Sequence, residues 1–397
     1  MIEHVSIQNF TVFEKLNLTL SPKVNVIMGT NGTGKTHLLK AIYGLGIVAL
    51  GEFPSRSNNG FASTLSGKFL RLFSTEDEKL GKLHTIGAKK HARLCLQNSN
   101  NSTVEVTFGN RSKFLNIHSQ TNTTRNTPKP VYIPTKEVLS LVRSIHNKKH
   151  DHATVETIFD DGDIDLAELL IYSSVDKENN SGLIDNPRLS NIIRELVKHI
   201  GGRYCWKSNH GFNFEPGSYQ EVNKTKTNAS RSNAHLAKAY KDSTITRFVS
   251  NKEQVLSSDM TAEGYRKIGA LHRLLCNGSI NPGKTGILLW DEPEANLNPK
   301  MMKTLVQVLL ELSRNGQQII VATHDYVFLK WLDLLMDDSK DDHVRFHAIY
   351  KDTKMAIPIM TVESADSYSL ISKTAISDSF AELFDQDVSR AFGRAAT

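Results

Sequence analysis

Apolar and polar positions alternate at the start of the chain. Val5, Ile7 and Phe10, then Leu16, Leu18 and Leu20, are separated by polar residues. A period of two predicts a pair of half-buried strands. The run Val24-Asn25-Val26-Ile27-Met28 ends at Gly29 and reads as a strand buried on both faces. A helix is expected over 35–45. Residues 50–90, rich in Gly, Ser, Asn and Lys, read as a long excursion with one amphipathic stretch near 68–73. Apolar runs at 92–97, 103–108 and 114–118 with turn-like separators predict a small antiparallel meander. A short strand over 130–134 stops at Pro134, and 137–200 reads mostly helical, broken at 160–165 and 179–187. A hairpin is expected at 203–214, and 223–252 reads as a loop or a solvated helix. Next come a helix at 263–276, a strand at 287–290, a helix at 300–314 and a strand at 318–323. A strand pair at 345–350 and 355–362 and a helix at 367–392 close the chain. Met302, Leu305, Val306, Leu309 and Leu310 form one buried face of the 300–314 helix, and Gly316 is placed to end it.

Strands mixed with helices give an α/β fold. The expected organisation is a lobe over 1–136, a helical insertion with a basic segment over 137–252, and a second lobe over 253–397. A composition of 39% hydrophobic and 23% charged residues excludes a largely disordered chain. No apolar run reaches about 18 residues, so no membrane span is expected. Cys95, Cys205 and Cys276 lack CxxC spacing, which argues against a disulfide framework and a zinc ribbon and fits a reduced cytoplasmic setting. The net charge is +6, and residues 203–252 hold nine Lys/Arg against three Asp/Glu. That segment is a candidate nucleic-acid contact.

Gly29-Thr30-Asn31-Gly32-Thr33-Gly34-Lys35-Thr36 fits GxxxxGK[ST], between a predicted strand and a predicted helix. Glycines let the backbone wrap phosphates, and the helix start adds positive potential. Lys35 is expected at the β- and γ-phosphates of ATP and Thr36 on Mg²⁺. The strand Ile287-Leu288-Leu289-Trp290 delivers Asp291 and Glu292. Asp291 is expected to hold the metal and Glu292 to polarise the attacking water. Thr323-His324 caps the next strand, which places a histidine within reach of the γ-phosphate. The acidic run 160–165 lacks the EF-hand spacing and reads as a solvated helix start. His146, His150 and His152 are weighed as metal ligands and set aside. Phe10 and Phe13 are candidates for adenine contact or for core packing.

In this order the motifs resemble the ABC-type ATPases of the SMC, RecF and OLD class, over 1–45 and about 255–330. The resemblance implies an ABC-ATPase head with a mixed sheet, an antiparallel β-subdomain and a helical insertion. It makes Asn296–Pro299 the D-loop, with Asn298 at the nucleotide, and His324 the switch histidine. Thr261, Ala262, Glu263 and Gly264 become the signature, which in the family closes on the γ-phosphate from an opposing subunit. Ala262 and Glu263 depart from Ser-Gly-Gly, so either Thr261 supplies the hydroxyl or γ-phosphate sensing is weakened. Glu137 is the nearest substitute for a Q-loop glutamine. The run from Ala262 to Pro299 and the helix ISDSFAELFDQ narrow the resemblance to the PtuA-like stand-alone ATPases of anti-phage systems (Septu and some retrons). This implies an ATP-sandwich homodimer or higher oligomer and a separate HNH- or TOPRIM-type nuclease partner encoded nearby. No TOPRIM domain is expected after His324. A RecF-like ATPase that clamps duplex DNA through 203–252 is the alternative. A transporter subunit is disfavoured by the insertion and the altered signature.

Overall fold

The computed structural model describes residues 1–49, 58–75, 79–120, 129–146, 158–172, 187–207, 211–223, 244–352, 359–372 and 375–391. The chain forms two compact units. One comprises Met1–Lys136, His150–Leu166 and Pro282–Thr397, and the other Glu137–Lys149 and Ala167–Asn281.

The first unit holds two sheets. A mixed sheet has the order β15 (Ile359–Ala365), β14 (Val344–Asp352), β3 (Val24–Met28), β13 (Ile319–Thr323), β12 (Leu288–Asp291), β7 (Val131–Ile133). Only the β14–β15 pair is antiparallel. An antiparallel sheet has the order β2 (Phe13–Thr19), β1 (Ile2–Phe10), β4 (Ala92–Asn98), β5 (Thr103–Phe108), β6 (Asn116–Gln120). The expected meander is therefore present. Its last strand starts later than the sequence suggests, because the Leu115 N–H donates to Ser66 Oγ at 2.8 Å before the ladder begins.

Helix α1 (Lys35–Ala49) lies between the sheets. Its Leu38, Leu39, Ile42 and Leu45 share one buried cluster with Val5, Ile7, Leu94 and Val106 of the antiparallel sheet and Ile27, Leu289 and Ile320 of the mixed sheet. A helix enclosed by two sheets must be apolar on most faces, as this one is. Phe10 and Phe13 are fully buried in the same cluster, which settles them as core. Within the expected excursion stands helix α2 (Asn58–Leu72), with Leu65, Phe69 and Leu72 fully buried.

The acidic run is not solvated. It opens helix α3 (Asp161–Ile171), whose entry is fixed by Asp160 Oδ1 accepting from the N–H groups of Gly162 and Asp163. Asp160 pairs with Lys40 at 2.7 Å, and Asp161 with Lys68 and Arg71 at 3.1 and 2.8 Å. Tyr43 donates to Asp165 at 2.6 Å. These acids fasten the first turn of α3 to α1 and α2.

In the second unit β8 (Gly202–Lys207), β10 (Thr244–Ser250) and β11 (Leu256–Ser257) all pair antiparallel with β9 (Gly211–Asn223). Helices α4 (Pro187–Ile200) and α5 (Glu263–Cys276) complete the unit. Residues 244–250 are thus strand rather than loop or solvated helix. The rest of the basic segment, 224–243, lies outside the described residues, as do His150 and His152. Helix α6 (Pro299–Arg314) buries all five of its predicted face residues. Helix α7 (Tyr326–Leu335) has no counterpart in the sequence reading, although Asp325 caps it by accepting from the Phe328 N–H at 2.7 Å. Helix α8 (Ala375–Ala391) follows. Among the described residues no helix is long and apolar enough to cross a membrane.

Candidate nucleotide site

The parallel strands β3, β13 and β12 end at one edge of the mixed sheet. Thr323 is in register with Met28, and Asp291 with Ala322. The loop after β3, the carboxylates after β12 and the histidine after β13 therefore emerge side by side, where ligands bind in open α/β sheets.

The phosphate loop has the backbone its glycines permit. Gly32 and Gly34 have φ of +80° and +88°. Among the described residues none lies within 4 Å of a Cβ added at Gly32, so they leave that face of the loop open. At Gly34 an added Cβ would meet Val12 and Phe13 at 2.6 and 2.7 Å, so the β1–β2 turn packs against the loop. Thr33 Oγ1 donates to the Thr30 carbonyl at 2.8 Å. Lys35 Nζ donates to the carbonyls of Gly29 and Thr30 at 2.9 and 3.2 Å. Burial lowers the Lys35 pKa, and the carboxylates of Glu292, Asp291 and Glu294 oppose that shift. Lys35 is thus a cation within a ring of acids, suited to exchange its carbonyl partners for phosphate oxygens.

Thr36 Oγ1 donates to Asp291 Oδ2 at 2.7 Å. Asp291 is 1% exposed, and among the described residues its Oδ1 makes no hydrogen bond of good geometry, with the Thr135 side chain beside the carboxylate. Burial pushes its pKa up, and the hydrogen bonds of Thr36 and Thr135 pull it down. A buried carboxylate beside threonine hydroxyls is an oxygen donor set that fits a hard divalent cation.

Glu292 stands on a strained turn. Its φ is +46°, in the left-handed region a β-carbon disfavours, and Asn296 at +62° shares that feature. The turn is held by the Glu292 N–H donating to the Ala322 carbonyl at 2.8 Å and the Ala295 N–H donating to the Glu292 carbonyl at 3.1 Å. Glu292 Oε1 lies 2.9 Å from His324 Nδ1. Asn298, the expected D-loop contact, caps α6 by accepting from the Lys300 N–H at 3.0 Å.

One residue of this edge escaped the sequence reading. Glu294 is 5% exposed, and Oε1 accepts from Thr323 Oγ1, which in turn accepts from the Asp325 N–H at 3.0 Å. Among the described residues its Oε2 has no hydrogen-bond partner. Burial pushes the Glu294 carboxyl up to about 7. The chain Glu294–Thr323–Asp325 ties the turn after β12 to the residues flanking His324. Its only signal in the sequence is a second Glu two positions after Glu292.

The signature residues belong to the second unit. Ala262 is the N-cap of α5 without a side-chain cap bond. The Thr261 hydroxyl donates to the Ser258 carbonyl at 2.6 Å and lies 2.7 Å from the Tyr204 hydroxyl. It is already engaged, so of the two expectations for Thr261 the one that leaves it free to meet a γ-phosphate loses ground. Glu263 and Gly264 form the first turn of α5. Glu137 pairs with Arg266 of α5 at 2.6 Å and accepts from Ser140, so it anchors the signature helix rather than standing free as a Q-loop substitute. No group of three or more His, Cys, Asp or Glu able to hold a metal occurs among the described residues. One Asp-x-Asp triplet follows His324, Asp385-Gln386-Asp387. It lies within helix α8, not at the strand ends a TOPRIM site uses.

Over 45 residues the chain is 51% identical to the DNA replication and repair protein RecF of Idiomarina loihiensis, covering 11% of this chain and 13% of that protein. Over 96 residues it is 31% identical to RecF of Bacillus cereus (strain G9842), covering 24% and 22%. The chain thus spans less than a quarter of the length of these curated relatives. A solved SMC head bound to the C-terminal winged-helix domain of ScpA matches with a TM-score of 0.49 and 14% identity, covering 93% of this chain and 98% of that one. The SMC head domain from Thermotoga maritima matches with a TM-score of 0.44 and 10% identity, covering 92% and 98%. The loop Gly29–Thr36, the Asp291–Glu292 pair and His324 meet at one edge of the mixed sheet. Residues 24–330 match the family described as "AAA domain, putative AbiEii toxin, Type IV TA system", and the chain belongs to that family.

Proposed function

We propose that the chain hydrolyses ATP with Mg²⁺ and uses the ATP-bound state to control a separate nuclease in anti-phage defence. The observation that carries the ATPase part is the single sheet edge that joins Thr36 to Asp291 and Glu292 to His324. The phosphate loop binds the phosphate chain through its N–H groups and Lys35. Thr36 and Asp291 hold the magnesium ion, which when bound neutralises charge on the phosphate oxygens. Glu292 takes the proton of the attacking water, oriented by His324, as water oxygen bonds to the γ-phosphorus and the bond to the β-bridging oxygen breaks.

In this reading Thr261, Ala262, Glu263, Gly264 and Asn298 come from a second copy, so each chain holds two half-sites and a two-fold dimer results. With the Thr261 hydroxyl engaged, the contribution from α5 is its uncapped N–H groups. The defence reading is supported by the AbiEii toxin named in the family description and by the PtuA-like signature and C-terminal helix. The nuclease is then of HNH or TOPRIM type, encoded nearby. A RecF-like clamp on duplex DNA is the second reading, favoured by the RecF matches and the basic 203–252 segment.

The test is the mass, by light scattering, of the Glu292→Gln protein with and without ATP–Mg²⁺, alone and with the product of the neighbouring gene. A stable complex with a nuclease-like neighbour is expected. An ATP-dependent dimer that ignores the neighbour would overturn the defence reading in favour of the clamp.

A further inference from the structure

Two side-chain contacts join the turn after β12 to the end of β13, and water activation by Glu292 and His324 uses only the outer one. In the outer contact Glu292 Oε1 lies 2.9 Å from His324 Nδ1, with side chains 22% and 47% exposed. In the inner contact Glu294 Oε1 accepts from Thr323 Oγ1, and these residues are 5% and 0% exposed. A pair as open to water as the outer one contributes little and is readily broken, so it does not hold its own pose. A hydrogen bond to a carboxylate in a dry interior is stronger and more fixed.

The inner contact reaches both neighbours of the histidine. The Thr323 hydroxyl donates to Glu294 and accepts from the Asp325 N–H at 3.0 Å. Asp325 Oδ1 in turn accepts from the Phe328 N–H at 2.7 Å as the cap of α7. The backbone before and after His324 is therefore fixed through one hydroxyl. The turn that carries Glu294 is closed as well. The Ala295 N–H donates to the Glu292 carbonyl at 3.1 Å, and the Leu297 N–H donates to the Glu294 carbonyl at 3.0 Å. Glu292 and Glu294 thus belong to one rigid turn. For stability alone an ionisable group is a poor occupant of this position, because burial disfavours its charge. Buried acids perturbed in this way cluster at functional sites.

We propose that Glu294 is a positioning residue for ATP hydrolysis: through the Thr323 hydroxyl it fixes the backbone on both sides of His324 and so sets the pose of His324 against Glu292. The inference rests on the ATPase reading and adds a residue that acts only through others. The charged groups that face the Glu294 carboxyl are Asp325 at the start of α7, Glu292 on the same turn and Lys35 at the start of α1. Glu294 is neutral below about 7 and ionised above it. The carboxylate accepts the Thr323 bond roughly twice as strongly as the neutral acid does. Its charge also makes Glu292 a stronger base. Turnover should therefore rise as Glu294 ionises. Bound phosphate favours the neutral acid, so in the ATP complex this rise lies at or above about pH 7.

The test is single-turnover phosphate release from ATP–Mg²⁺, with the affinity for a fluorescent ATP analogue measured on the same preparations. Thr323→Val should release phosphate at least about tenfold more slowly while affinity stays within about twofold, the mark of a misaligned group. Thr323→Ser keeps the hydroxyl and should restore most of the rate. Glu294→Met removes the acceptor at nearly the same volume. It should slow release as Thr323→Val does, yet unfold in urea at about pH 8 no earlier than the parent, because a buried charge is gone. Glu294→Gln keeps an acceptor and cannot ionise. The ratio of parental to Glu294→Gln rate should be about 1 at about pH 6 and about three to ten at about pH 9. The inference is overturned if Thr323→Val and Glu294→Met release phosphate at the parental rate, if affinity falls in step with rate, or if the Glu294→Gln ratio stays flat. Those three outcomes leave the ATPase reading intact, whereas a parent that releases no phosphate overturns that reading itself.

Discussion

Glu294→Gln isolates the cost of the buried carboxyl behind the nucleotide site. Burial is the largest cause that moves this group from 4.5 to about 7, against the opposing Thr323 hydrogen bond. The folded chain therefore binds this proton more tightly than the unfolded chain does. Below about pH 4.5 both states are protonated and the penalty is absent. Between about pH 4.5 and 7 the unfolded chain ionises while the folded chain keeps its proton, so stability falls; above about 7 both are ionised and the loss is complete. At about 1.4 kcal/mol per pH unit, the gap amounts to about 3 kcal/mol of stability lost at alkaline pH. Gln keeps an acceptor for Thr323 and cannot ionise. It also places an NH₂ where Oε2 has no partner, a fixed offset of about 1–3 kcal/mol that does not vary with pH. The assay is urea unfolding of both proteins from pH 5.5 to 9 in EDTA without nucleotide, comparing how their difference changes with pH. The parent should lose about 2 kcal/mol relative to Glu294→Gln across this range, the rest of the loss lying below about pH 5.5. A difference constant to within about 0.5 kcal/mol would refute the burial argument.

Other outcomes follow from the same geometry. Thr323→Val leaves Glu294 without its hydroxyl donor and should cost about 1–3 kcal/mol in urea unfolding, more above pH 7 than below. Glu292→Gly relieves a left-handed φ and should raise the unfolding free energy by about 1 kcal/mol while phosphate release is lost. Leu39→Ala opens a cavity between the two sheets and should cost about 2–5 kcal/mol. Arg266→Ala strands buried Glu137 and should cost about 3 kcal/mol, read by thermal unfolding. Lys35→Ala should abolish binding of a fluorescent ATP analogue.

The mixed sheet and its helices were legible because strongly periodic segments declare themselves, as the five-residue face of α6 does. The site was legible because a complete phosphate loop and an Asp-Glu pair at a strand end need few residues at fixed spacing. What the sequence hid depended on partners distant in the chain. The acids at 160–165 look solvated until Lys40, Lys68 and Arg71 are brought to them. The engagement of Thr261 depends on Tyr204, 57 residues away. Helix α7 carries apolar residues on too many sides to show a helical stripe, and α2 lies in a stretch whose composition mimics a loop.

The most direct test of the central claim is single-turnover phosphate release from ATP–Mg²⁺ by the parent and by Glu292→Gln, with nucleotide binding measured alongside. The account predicts that the variant binds ATP as the parent does and releases phosphate at least about a hundredfold more slowly. Release at the parental rate would contradict the assignment of Glu292 as the residue that activates water.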